Sequence, residues 1–330
     1  MDIEDKIYGR VFVEEPVFQE VMLSKPVQRL QGLMQCGITY FRFPELDGTR
    51  FDHSVGVMSL LQSWDAPVEE QIAGLLHDVN HLAFSHVADI VFGDAQKQEF
   101  AEQFHRKIIM GSEIPEILER YGVDPEQVVD FKQFPLLEQP LPDVCADRFD
   151  YGLRDTVESG ILSLEQAHEI LDSVHIIDSS VISFTTQSIA RRFADAFQEI
   201  NAKRYTHPLD MALYKFFAET LKLALNKKVI MMDDFFLTDN EVWEKLQNSG
   251  VTEITDALAR IPSLNVQVVE QNESHDYHVN SKIRLIDPWV VVGDVEAGEV
   301  VRLSELDPDF SIQSAEFKNK YQEGFFVKLV

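Results

Sequence analysis

Four of the ten histidines in the chain fall between Arg50 and Asp89: His53, His77, His81 and His86. Asp52, Asp78 and Asp89 are interleaved with them. Imidazole and carboxylate together suit two kinds of chemistry, holding a divalent first-row cation and moving protons. His53, His77 and Asp78, with a later carboxylate, Asp147, make a candidate ligand set without thiolate. Four protein ligands on an octahedral ion leave positions for water and substrate. His86 and Asp89 stand at helical spacing, so the carboxylate is placed to orient the imidazole. Taken singly, each residue also fits a capping, salt-bridging or turn role.

The elements that must position these groups follow from periodicity. His77-Asp78 closes an apolar run (Ile72, Ala73, Leu75, Leu76). Two polar ligands at the end of a buried helix are costly unless something binds them. Adjacent helical residues point roughly 100° apart, so both reach one ion only at a helix end, with His53 and Asp147 arriving from other segments. Three- and four-residue apolar spacing predicts helices over Pro16–Met34, Val55–Leu61, Gln98–Met110, Ile114–Arg120, Leu164–Leu171 and, broken near Pro208, Ile189–Leu225. Shorter helices are expected at Asp233–Leu246 and Thr252–Ile261. Asp5–Val13 reads as a strand or hairpin, and Val174–Thr186 as a β-hairpin. Strands are expected at Val266–Val269, Lys282–Ile286 and Val290–Val292. The chain is therefore expected to be mainly α, a helical body (1–262) carrying a small α/β C-terminal lobe (263–330).

A formal charge of −27 and a pI near 4.6 weigh against nucleic acid or anionic membranes as partners. An anionic small substrate then needs local cations. No apolar run reaches the length of a membrane span and no signal region opens the chain. Cys36 and Cys145, the two cysteines, fit a reduced, cytoplasmic protein. There is neither a phosphate-binding G-x-x-x-x-G-K-[ST] loop nor a dinucleotide G-x-G-x-x-G. His275 and His278 fit a surface turn.

Three ordered segments, RFDHSVGV, GLLHDVNHLAFSH and CADRFDYGLRD, carry a resemblance to the HD-domain metal-dependent phosphohydrolases. Within them the sequence is most similar to the deoxynucleoside triphosphate triphosphohydrolase-like branch, with SKPVQRLQGLMQCG, RYTHP and KIRLIDPWV extending the likeness. The resemblance implies an HD-domain helical bundle and an enzyme that hydrolyses phosphoric esters or anhydrides. A divalent metal (Mn, Fe, Mg, Ni or Zn) would be held by His53, His77, Asp78 and Asp147. His81, His86 and Asp89 would handle protons. Arg50 and Arg148 would meet phosphate, Gln35, Tyr151 and Asp155 would hold sugar, and Tyr205 and His207 would complete the pocket. The implied substrate is a nucleotide, with a (deoxy)nucleoside triphosphate first. A nucleotidase or other phosphomonoesterase, or a non-catalytic nucleotide-binding regulator, are the alternatives, and a homo-oligomer is left open. The chain departs from the branch in three places. Cys145 replaces an Asp, Asn80 and Leu82-Ala83 replace a Gly and Gly-Pro, and Ala101 stands where a second catalytic histidine is expected, leaving His105 as the nearest substitute.

Overall fold

A computed structural model describes residues 1–93, 100–294 and 299–330. Helices dominate it, with three small sheets among the described residues. At its centre lies helix Arg50–Ser63, whose buried residues run round the whole cylinder from Arg50 to Leu61, the mark of a helix enclosed by others. Thr49 and Asp52 close its start as a capping box, so Asp52 serves the backbone rather than the histidine cluster. Helix Val68–Leu76 packs against it. The buried Glu70 accepts the Leu136 and Leu137 N–H groups at 2.8 and 2.9 Å, fixing the proline-marked loop ahead of helix Ala146–Glu158.

Two apolar cores meet along the His77–His86 segment. Leu75, Leu76 and Val79 belong to the core around helices Arg50–Ser63 and Ala146–Glu158. Leu82, Ala83, Phe84 and Val87 belong to a second core built on helix Pro208–Asn226. The polar residues between them are thus held at a seam. One π-helical turn, Asn201–Tyr205, joins helix Gln187–Ile200 to Pro208–Asn226, which is where the long helical pattern breaks.

The N-terminal hairpin pairs Asp2–Asp5 with Gly9–Phe12, and the second hairpin pairs Val174–Ile177 with Val181–Phe184. We propose the division at 262/263 as a boundary in sequence. In space the C-terminal part supplies strands to two sheets. Trp289–Val291 runs parallel to Val181–Phe184 and carries Val300–Arg302 at its far edge. Val266–Val269, Phe325–Leu329 and Tyr277–Val279 form the other sheet.

Three expectations of element type need correction. Lys282–Ile286 is not a strand. Its backbone is met by one side chain, with Asn201 Nδ2 donating to Arg284 O at 2.6 Å and Arg284 N donating to Asn201 Oδ1 at 3.1 Å. Of Gln98–Met110, 98–99 lie outside the described residues, Phe100–Phe104 is 3-10 and His105–Met110 is α-helical. Asp233–Leu246 divides into a 3-10 turn, Met232–Phe236, and helix Asp239–Gln247, because Thr238 caps the latter. Among the described residues no helix is long and apolar enough to cross a membrane.

Candidate metal centre and catalytic cavity

His53 and His77 face each other across the seam with committed protons. His53 Nδ1 donates to Asp150 Oδ2 at 2.7 Å, and His77 Nδ1 donates to Gly74 O at 2.7 Å. These bonds assign the tautomer, so each Nε2 turns a lone pair inward. The two Nε2 atoms are 3.1 Å apart. Asp147 Oδ1 lies 3.0 Å from the His53 nitrogen and 3.7 Å from that of His77. Asp78 lies beside this trio, whose ligand atoms are within 4.8 Å of one another, with Oδ1 3.5 Å from His77 Nε2 and Oδ2 4.0 Å from His53 Nε2. Facing lone pairs beside carboxylates repel unless a cation lies between them, so the donor set fits a divalent ion. Burial opposes charge on His53, yet Asp147 and Asp150 outweigh it and hold the imidazole up at about 10. Burial likewise opposes ionisation of Asp147, and His53 and His77 hold its carboxyl far below the usual range.

Arg50, expected at phosphate, lines the cavity and also grips Asp78. Its Nη1 donates to Asp78 Oδ2 at 2.6 Å and its Nε to Ser85 Oγ at 2.8 Å. His81 Nε2 sits 3.1 Å from Asp78 Oδ1. Although burial pushes the other way, Arg50 and His81 keep Asp78 well below the ordinary carboxylate range. His86 Nδ1 meets Asp89 Oδ2 at 3.2 Å, and the His81 and His86 rings are 5.8 Å apart. Burial lowers both imidazoles, His86 to about 4 in spite of Asp89. The turn that places them is strained, with φ +60° at Phe84 and +48° at Ser85. Surrounding structure must over-determine such angles. Asp239 does so by accepting Phe84 N at 2.6 Å and Met34 N at 2.9 Å, and Arg29 Nη2 donates to His81 O at 2.9 Å. A side chain at Gly37 would put its Cβ 2.9 Å from Phe84 O, so this close approach needs glycine.

The centre opens into a cavity of about 710 Å³, a volume within the range of ligand sites. Gln35, Tyr151, Asp155 and Tyr205 line it. Tyr205 OH donates to the Asp155 carboxylate, and the Tyr151 and Tyr205 rings meet edge-on at 6.1 Å. Arg148 also lines it, with both terminal nitrogens engaged and a buried Nε that has no partner. Nη1 reaches Asp143 O at 2.5 Å and Cys145 Sγ at 3.3 Å, and Nη2 reaches Gln139 O at 3.1 Å, with Glu138 Oε1 at 3.7 Å. His207 is not among the lining residues; it caps helix Pro208–Asn226 by accepting Leu209 N at 3.3 Å. Ala101 lines the cavity, whereas His105 lies behind it, bonded to Asn80 Oδ1 at 3.1 Å. His105 therefore does not stand in for the missing histidine. His275 and His278 are exposed and bond backbone carbonyls.

Sequence reasoning missed Asp150, Glu138, Arg204 and Arg284. Asp150 was signalled by its place three residues after Asp147, and Arg284 by the KIRLIDP segment. Glu138 had no local signal. Its carboxylate stands with Asp147 and the Cys145 thiol, their ligand atoms within 4.8 Å of one another, beside the position where the branch carries an Asp.

No family model matches the chain. It is 37% identical over 331 residues to the uncharacterized protein YdhJ of Bacillus subtilis, covering 100% of this chain and 99% of that one. It is 30% identical over 298 residues to the metal-dependent phosphohydrolase cns2 of Cordyceps militaris, covering 87% of this chain and 84% of the relative. The deoxynucleoside triphosphate triphosphohydrolase SAMHD1 of Gallus gallus is 30% identical over 149 residues, 38% of this chain and 24% of its own length. A crystal structure of a phosphohydrolase from Bacteroides thetaiotaomicron shares the fold, with a TM-score of 0.72 at 15% identity over 99% of this chain and 98% of that one.

Proposed function

We propose that this chain, which belongs to the HD-domain metal-dependent phosphohydrolases, hydrolyses a nucleotide, releasing triphosphate from a (deoxy)nucleoside triphosphate. His53, His77, Asp78 and Asp147 would hold the divalent ion. When bound, that ion supplies charge neutralisation and an acidified water for attack on phosphorus. Arg50 keeps Asp78 ionised and in place. His86, tied to Asp89 and neutral at pH 7, accepts a proton only once an incoming phosphate stabilises its charged form. Tyr151, Tyr205, Asp155 and Gln35 would bind the nucleoside, offering ring edges and sugar hydroxyl partners. The observation that carries this reading is the pair of imidazole lone pairs 3.1 Å apart on the wall of a nucleotide-sized cavity. The named activity of the avian relative, matched over 38% of this chain, lends support to the triphosphate.

A phosphomonoesterase remains the second reading, because Arg148 is committed to backbone oxygens and Glu138 and leaves fewer donors for a phosphate chain. The test is a nucleotide panel run with Mn²⁺, Fe²⁺, Mg²⁺, Ni²⁺ or Zn²⁺ and product identification. Triphosphate release that Asp78→Ala abolishes is expected. Inorganic phosphate from monophosphates alone would favour the second reading, and equal behaviour of wild type and Asp78→Ala on every nucleotide would sink both.

A further inference from the structure

We infer that the N-terminal hairpin is a working part of the metal centre, acting through Asp150 as a positioning residue for His53. The inference rests on the reading of His53 as a metal ligand. Asp150 is fully buried, and its carboxylate takes four donors. His53 Nδ1 at 2.7 Å and Arg154 Nε at 2.8 Å reach Oδ2, while Tyr8 OH at 2.7 Å and Arg154 Nη2 at 3.1 Å reach Oδ1. Arg154 Nη2 also donates to Asp5 Oδ2 at 2.7 Å. The other Asp5 oxygen accepts Ile7 N and Tyr8 N at 2.7 and 2.9 Å, which shapes the hairpin turn itself. A continuous buried chain thus runs from the turn at Asp5–Tyr8 through Arg154 and Asp150 to the imidazole.

An independent feature supports the same assignment. Gly56 lies three residues after His53 on the same helix. A Cβ there would fall 2.0 Å from Asp150 Oδ1, 2.3 Å from Arg154 Nη2 and 2.8 Å from Tyr8 Cε2. The network therefore packs directly onto the helix that carries the ligand, in space only glycine leaves open. A carboxylate on the far nitrogen of a ligating histidine fixes its tautomer and ring orientation. Here that carboxylate is pinned by the hairpin, whose Tyr8 lies 142 positions before it. Removing the pin should loosen the ion without removing a ligand.

The test is Co²⁺ titration followed by the d–d absorption spectrum, with circular dichroism as the check on folding. The variants are Asp150→Asn, Asp5→Asn and Tyr8→Phe, the last removing one hydroxyl and keeping the ring. Asp150→Asn should weaken Co²⁺ binding by roughly 10- to 100-fold. Asp5→Asn and Tyr8→Phe should lose about tenfold or less in the same direction, with an altered spectrum and native helix content. Wild-type affinity and spectrum in folded Asp5→Asn and Tyr8→Phe would overturn the inference. His53→Gln separates the two layers. If it too binds Co²⁺ as wild type does, the ligand reading itself has failed.

Discussion

Asp239 offers the sharpest physical test, because it supports the site without touching it. Its carboxylate is buried, 1% exposed, and holds the N–H groups of Phe84 and Met34, neighbours of Ser85 and Gln35. Burial pushes its pKa up to about 6, against the two N–H bonds and the charges of Arg50 and Arg29. An unfolded Asp titrates near 3.9, about two pH units lower, which corresponds to about 3 kcal/mol. The folded chain binds this proton more tightly than the unfolded one. Its stabilising contribution is therefore complete below about pH 4 and lost as pH rises through about 6. Asp239→Asn cannot titrate, and its single carbonyl leaves one buried N–H unmet, at about 1–3 kcal/mol. Urea unfolding at pH 4, 5, 6 and 7 should show the wild-type advantage over Asp239→Asn shrinking by about 3 kcal/mol across the range. The turnover number of the variant should fall as the Ser85–Arg50 contact loosens. A stability difference that stays flat within about 0.5 kcal/mol would refute the reasoning.

Glu138→Gln should shift substrate preference. Burial and the neighbouring Asp147 raise the Glu138 carboxyl to about 7, so the effect is read at pH 8, where its full charge at ~5 Å from a phosphate would cost about 3 kcal/mol at an effective dielectric near 20, before screening. We expect kcat/KM for a triphosphate to rise about tenfold relative to a monophosphate, and parallel changes for both would reject the idea. His105 lies at about 4 because burial disfavours its charge, so it contributes stability above about pH 6.5 that is lost as pH falls through 4, up to about 3 kcal/mol. His105→Gln should unfold at a lower pH than wild type while keeping its turnover number; an unchanged acid midpoint, or a collapse of turnover, would contradict its placement behind the cavity.

The helical body was legible because its signals are local. Three- and four-residue spacing marked the central helices, and β-branched alternation marked the Val174–Phe184 hairpin. Lys282–Ile286 misled because its strand-like residues are satisfied by Asn201, a partner some eighty positions away that no window detects. The candidate ligands were legible as residue types in ordered motifs, and the structure places His53, His77 and Asp147 in one cluster with Asp78 beside it. What spacing could not reveal was where the donors of each arginine go. Arg50 and Arg148 carry the right charge for phosphate, yet one holds Asp78 and the other backbone carbonyls. Asp239 and Asp150 escaped notice for the same reason, since each works through contacts far apart in sequence.

The net charge of −27 and an anionic substrate are reconciled by arrangement rather than by count. Among the described residues, eight carboxylates and six Lys or Arg side chains line the cavity, so its wall is not cationic by itself. Several of those carboxylates are already answered: Asp78 by Arg50 and His81, Asp89 by His86, Asp155 by Tyr205, Glu138 by Arg148. Asp147 shares its charge with His53 and His77. A divalent ion at that point turns the local balance positive just where phosphate must approach. Since each lowers the electrostatic cost of the other, metal and substrate should bind with positive coupling, and by reciprocity the substrate should tighten the metal by the same factor.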